Sequence, residues 1–166
     1  KGFGGAILYS VAPKHTMEVL EKLMGLTRVG EENGLVRFQA PGDLGNIIDV
    51  NAEPMPRGAG GAGTVHHIAW RAKDDQDHRL WQSRVAQSGF HPTDIIDRQY
   101  FHAIYFREPG EILFEIATDP PGFERDEPFE SLGEKLMLPE WYEPHRAEIE
   151  QGLPPIAVHV LAEDKE

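Results

Sequence analysis

The chain has 166 residues, room for one domain or two small ones and enough to bury about two-thirds of its unfolded surface without staples. Lys plus Arg is 16 against 28 for Asp plus Glu, a formal charge of −12, which speaks against nucleic-acid or anionic-membrane surfaces because both need clustered positive charge. There is no cysteine, which excludes disulfides and thiolate chemistry and fits a cytoplasmic protein, and no run approaches the roughly 18 apolar residues of a membrane span.

Gly (17) and Pro (13) exceed the roughly 12% of ordinary globular chains, so many tight turns are expected. The chain starts at Lys1 rather than Met, as expected of a processed chain or a piece of a longer one. Gly4 to Val11 reads as an apolar strand. From Pro13 to Met24 the apolar residues Met17, Leu20, Leu23 and Met24 recur at helical spacing, with Pro13 suited to the first helical position and Gly25 closing the helix. Thr27 to Gly30, Leu35 to Ala40 and Asn46 to Val50 read as short strands separated by turn signals. Residues 52–63 (AEPMPRGAGGAG) are glycine-rich, but no Gly-Lys-Ser/Thr follows and the next element is a strand, so they read as a connector rather than a phosphate loop.

The same order of elements then returns. Thr64 to Ala72 reads as a strand, Asp74 or Asp75 as a helix cap, and Leu80, Trp81 and Val85 as one helical face that Gly89 closes. Ile95 to Asp97, His102 to Arg107 and Ile112 to Thr118 read as strands, with Glu108-Pro-Gly-Glu111 as the turn between the last two. Gly25 and Gly89 stand 64 residues apart, and Asp49 and Glu115 stand 66 apart. A βαβββ unit used twice, in residues 1–51 and 64–119, accounts for this period. The expectation is an α+β fold of paired modules, because each unit alone leaves one sheet face uncovered. Residues 120–166 are expected to form a tail packed on the core, with a short helix near Glu140 to Gln151 and an apolar run from Ile156 to Leu161.

Strand alternation singles out the chemistry. In a regular strand, Val65, His67 and Ala69 share one face, and His66, Ile68 and Trp70 share the bulkier one that suits helix packing. His67 is therefore expected to face the open side. In the last strand Glu115 lies with Leu113 and Ala117, a carboxylate in an otherwise apolar strand. Buried charge costs several kcal/mol unless it is paired or metal-bound. His67 and Glu115 converging on one cup would be two-thirds of a 2-His-1-carboxylate triad, the set that leaves coordination positions open on Fe(II). The competing reading makes His67 a core histidine and pairs Glu115 with Arg98 or Arg107. Tyr105 is expected beside Glu115 across the turn, where it either donates to a bound oxyanion or anchors the sheet. Arg98 either holds an anion or is a solvated charge. The remaining histidines, His78 among them, read as surface or structural.

With Gly63-Thr-Val-His-His-Ile-Ala-Trp70 and Ile104-Tyr-Phe-Arg-Glu-Pro-Gly-Glu-Ile-Leu-Phe-Glu-Ile-Ala-Thr-Asp119, the sequence resembles the vicinal-oxygen-chelate superfamily of glyoxalase I, bleomycin-resistance proteins and extradiol dioxygenases. More narrowly, with the tail segments 132–141, 143–146 and 153–155, it is similar to the C-terminal half of ring-cleaving dioxygenases that open hydroquinones. The resemblance implies curved mixed sheets around a concave metal-site cup, and Fe(II), or Mn(II) in some relatives, with His67 and Glu115 as ligands. It places Tyr105 and Arg98 near the substrate and His66 beside the ligands, a position at odds with strand parity unless the strand bulges there. The first strand, Gly4-Gly-Ala-Ile7, has no histidine. The resemblance therefore implies that a third ligand comes from the N-terminal half of the same protein, and that this chain folds without turning over alone. An Asp49–His67–Glu115 set within the chain is the alternative. The implied reaction joins a small aromatic diol and O2, in a protein that can be a homo-oligomer. A glyoxalase-like lyase or isomerase and a metal-free small-molecule binding module are the rival functions.

Overall fold

The computed structural model describes residues 3–155, and the apolar run at 156–161 lies outside them. The chain forms one compact unit through Gly122 and a second from Phe123 onward.

The first unit contains the repeat. Its first copy comprises β1 (Gly5–Leu8), α1 (Pro13–Glu18), β2 (Thr27–Glu32), β3 (Leu35–Gln39) and β4 (Ile47–Asn51). Its second comprises β5 (Ile68–Arg71), α2 (Asp75–Gln87), β6 (Ile96–Asp97), β7 (His102–Arg107) and β8 (Leu113–Ala117). The strand orders are β1-β4-β3-β2 and β5-β8-β7-β6, so each copy folds into the same four-stranded sheet. In each, the first and last strands run parallel and the remaining pairs antiparallel. The α+β architecture of two mixed sheets expected from the repeat is the one observed.

One face of each sheet makes the core. Val36, Phe38, Ile48 and Val50 of the first sheet, and Ile104, Phe106, Phe114 and Ile116 of the second, are all buried. They belong to one apolar cluster with Leu20 and Leu23 beyond α1 and Val85 of α2. Phe106 meets Phe114 and Phe90 at ring-centroid distances of 5.6 and 5.7 Å, and Phe114 meets Trp70 at 5.5 Å. Burying each such ring contributes roughly 1.5–3 kcal/mol. β2, at the free edge of the first sheet, is exposed along its whole length, and its pairing with β3 slips by one residue between Arg28 and Gly30.

Several boundaries differ from expectation. The first helix continues beyond Glu18 as a π-helical segment over Val19–Leu23, where Met24 N–H donates to the Val19 carbonyl at 3.0 Å. β5 begins at Ile68 rather than Thr64, and Thr64 N–H closes a turn onto the Gly61 carbonyl at 3.1 Å. Leu80, expected on the buried face of α2, is exposed, and His78 is buried there instead. The His78 Nε2 lies 2.7 Å from the Ile116 carbonyl oxygen, which gives the buried imidazole a partner on β8. Asp74 caps α2 by accepting from Asp77 N–H at 2.8 Å, and the Asp77 carboxylate accepts from Lys73 N–H at 2.9 Å.

The connector is not slack at its start. Met55 N–H donates to the Ser10 carbonyl at 2.9 Å, and Arg57 Nε lies 3.1 Å from Glu111 Oε2. In the second unit, α3 (Arg146–Gly152) occupies part of the expected 140–151 helix. There the Arg146 guanidinium donates to both Glu143 oxygens at 2.8 and 2.6 Å, to Glu150 at 3.0 Å and to the Leu136 carbonyl at 2.9 Å.

Candidate metal centre

Glu115 sits in the middle of β8 with Ala69 of β5 on one side and Tyr105 of β7 on the other. Phe114 and Ile116 turn to the core, so alternation sends Glu115 to the opposite face. It is nevertheless only 2% exposed. Its carboxylate Oε2 lies 2.7 Å from His67 Nε2, on an imidazole that is one-third exposed. Tyr105 stands directly opposite Glu115 in the ladder, within reach of the same carboxylate's charge. Its phenol is held above its ordinary pKa, first by burial and then by the negative charge of Glu115, while the positive charge of Arg98 works in the other direction. The His67 and Tyr105 rings meet edge to face at 5.9 Å.

His66 is where parity reasoning failed. Its Nδ1 lies 2.9 Å from His67 Nδ1, so the two imidazoles are neighbours rather than on opposite faces. The alternation rule holds only inside a regular strand, and both histidines precede β5. No bulge is needed. Arg107, a sequence candidate for pairing with Glu115, instead donates to the Glu111 carbonyl at 2.6 Å.

The donor set suits a borderline-to-hard divalent cation in part. A histidine nitrogen and a buried carboxylate oxygen in direct contact are two donors of the kind that non-haem iron sites use. A carboxylate this buried needs a positive partner, and a metal would supply one. Among the described residues, no group of three or more His, Asp or Glu is placed to hold a metal. The Asp49–His67–Glu115 alternative is therefore not assembled.

The ladder registers show why. Ile7, Asp49 and Arg37 line up across the first sheet as Ala69, Glu115 and Tyr105 do across the second. Arg37 clamps Asp49 with Nε and Nη2 at 2.8 Å each and holds its carboxyl below the ordinary carboxylate range. The register equivalent of His67, two residues before Ile7, is Gly5. A Cβ there would overlap the Ile47 carbonyl oxygen, so the first sheet has no space for a side chain where the second has its imidazole. The Arg37–Asp49 pair was not anticipated, although strand parity places both residues on one face. Glu108 was read only as part of a turn, yet it is 2% exposed; nothing in its spacing signals burial.

Comparison with known proteins agrees with this architecture. Residues 8–116 match the Glyoxalase/Bleomycin resistance protein/Dioxygenase superfamily. The chain is 60% identical over 161 residues to "Putative ring-cleaving dioxygenase MhqO" of Bacillus subtilis, covering 97% of this chain and 52% of that protein. It is 35% identical over 103 residues to "Chlorohydroquinone/hydroquinone 1,2-dioxygenase" of Sphingobium indicum, covering 58% of this chain and 31% of that one. The crystal structure of a "putative dioxygenase" from Bacillus subtilis superposes with a TM-score of 0.92 at 60% identity, over 97% of this chain and 52% of that one. A lactoylglutathione lyase from Agrobacterium tumefaciens shares the fold at 20% identity and a TM-score of 0.53, over 69% of this chain and 90% of that one. The chain spans about half the length of the curated relatives it matches first. With two βαβββ sheets in register and a superfamily match running through both, the chain belongs to the glyoxalase/bleomycin resistance protein/dioxygenase superfamily.

Proposed function

We propose that this chain supplies His67 and Glu115 to the metal centre of a ring-cleaving dioxygenase, with a third ligand from the N-terminal half of the same protein. The observation that carries the reading is the 2.7 Å contact between His67 Nε2 and the buried Glu115 carboxylate. The names of the relatives, which run to about twice this length, support it. The substrate is a small aromatic diol of the hydroquinone or catechol type, with O2 as co-substrate. The lack of cysteine is in keeping with a cytoplasmic setting.

When bound, Fe(II), or Mn(II), would pass electrons between ring and oxygen. The chain's own residues prepare that chemistry. If His67 Nε2 held a metal, its Nδ1 would carry the proton and donate to His66 Nδ1, 2.9 Å away, and this contact would orient the imidazole. Burial and the charge of Glu115 hold the Tyr105 phenol above its ordinary pKa. It would donate a hydrogen bond to a substrate oxygen. Arg98, close enough to act on that phenol, would offset negative charge as it builds on the ring oxygens.

The full-length protein containing this chain, loaded with Fe(II) without air and then given oxygen, should consume O2 with a hydroquinone or a catechol. No uptake with any such diol would sink the proposal. Turnover of a substrate without O2 would favour a glyoxalase-like lyase or isomerase. Tight binding of an aromatic compound with no metal required would favour a binding module.

A further inference from the structure

Glu108 opens the turn between β7 and β8, and it is 2% exposed. Its oxygens receive hydrogen bonds only from donors. Thr16 Oγ1 and Gly110 N–H reach Oε2 at 3.0 and 2.7 Å, and Ile112 N–H reaches Oε1 at 2.9 Å. The hydrogen count orders the rest of the network. Thr16 has one hydroxyl hydrogen and gives it to Glu108, so the 2.7 Å contact between Ser10 Oγ and Thr16 Oγ1 is donated by Ser10. The Ser10 oxygen in turn accepts from Ala12 N–H at 3.0 Å. A directed chain therefore runs from the β1–α1 turn of the first module to the β7–β8 turn of the second, ending on a carboxylate. Such charge-assisted chains are the stronger kind.

The two turns also touch through backbone. Val11 N–H donates to the Gly110 carbonyl at 3.1 Å. A Cβ on Gly110 would overlap both Ser10 Oγ and Thr16 Oγ1, so only glycine lets the turn come this close. Ser10 and Thr16 are themselves fully buried. The hairpin held this way carries Tyr105 on one strand and Glu115 on the other, directly opposite each other.

We propose that Glu108 is a positioning residue: by fastening the β7–β8 turn to Thr16 and Ser10, it sets the geometry in which Glu115 and Tyr105 meet His67. The first module, whose own central carboxylate Asp49 is paired with Arg37, thus serves the second as a rigid footing. The metal-centre reading enters only in what the hairpin presents; the clamp itself is independent of it.

The test uses the full-length protein with Glu108→Gln, Thr16→Val and Thr16→Ser. A glutamine places an N–H₂ against one of the backbone donors. Valine removes the hydroxyl at nearly constant shape, and serine restores it. Amide exchange of the β7–β8 strands, including Glu115, should quicken roughly tenfold or more in Glu108→Gln and Thr16→Val, with β3 unchanged and Thr16→Ser near the parent. Co(II) affinity, measured by calorimetry, should fall by a similar factor in the same two variants. Exchange that quickens equally in both modules would reduce Glu108 to ordinary stabilisation and overturn the proposal. So would quickening confined to Gly110 and Ile112, or an affinity that ignores all three substitutions in a parent that binds Co(II). A parent that binds no Co(II) counts against the metal reading alone, and the exchange pattern then decides the clamp. Thr16→Val keeps the question decidable if Glu108→Gln fails to fold.

Discussion

The two modules are the same sheet put to different ends. At matched positions one has Asp49 clamped by Arg37, and the other has Glu115 between His67 and Tyr105. Both carboxylates are nearly buried, and each has met the cost of burial differently. The first carries its counter-charge in its own neighbouring strand, where Arg37 pairs with it. The second has an imidazole and a phenol as neighbours, neither a permanent cation, which is the difference the proposed metal would make use of. A repeated fold therefore does not imply a repeated site, because one residue on β3 or β7 decides whether the carboxylate is already satisfied.

The largest expected effect would break the comparison at its strongest point. In the full-length protein, Glu115→Ala should weaken Co(II) or Fe(II) binding by at least about 100-fold in a calorimetric titration, whereas Asp49→Asn should leave it unchanged. Metal loss from Asp49→Asn would mean the two cups are not distinct.

Beneath the cups the modules should look alike. Phe38 and Phe106 occupy matching core positions and are both buried, so truncating either to alanine should cost about 3–5 kcal/mol in denaturant unfolding. A cost confined to one of them would show that the cores are not equivalent.

Gly5→His offers the first sheet the residue it lacks. The prediction is a lower melting temperature and no added metal, because the Ile47 carbonyl occupies the space where the Cβ must go. A stable variant with a second bound metal would show that β4 yields.

The ion pair can be read through pH. Asp49 has its carboxyl lowered by Arg37, so in acid the unfolded chain takes up this proton before the folded one does. The stability it contributes is complete above the ordinary carboxylate range near ~4 and is lost as pH falls through the lowered value. Asp49→Asn should therefore flatten the fall in melting temperature below about pH 4, and a slope like the parent's would remove the pair from the account.

The smallest effect concerns the helices. α2 has a side-chain cap in Asp74, whereas α1 has none at Ala12. Asp74→Ala should cost about 1 kcal/mol, measurable by chemical denaturation, and no change would mean the cap is solvent-satisfied.

Much of this was legible before any coordinates. The repeat, the βαβββ order of its elements and the facing of Glu115 follow from periods of two and of 3.6 residues, which local sequence carries directly. The errors fall where periodicity ends. Parity put His66 opposite His67 because it assumed a strand that begins only at Ile68. Helical spacing put Leu80 inside and overlooked His78, because an imidazole finding the Ile116 carbonyl is a tertiary event. The burial of Glu108 depends on a turn 92 residues away meeting Thr16, a long-range contact with no local mark. Arg37 and Asp49 were within reach, since two opposite charges on one sheet face can be paired on paper.

The outermost strand has one further consequence. A sheet with an open margin is a template on which another chain can continue the ladder. β2 is such a margin, yet it slips register in its middle, and it ends in Glu31 and Glu32, with Arg28 drawn onto Glu31 at 2.8 Å. A second strand arriving there would meet a kinked row of donors and acceptors and a pair of like charges. This edge of the first sheet thus has a built-in stop, and crowding the protein in solution should not by itself extend the ladder from β2.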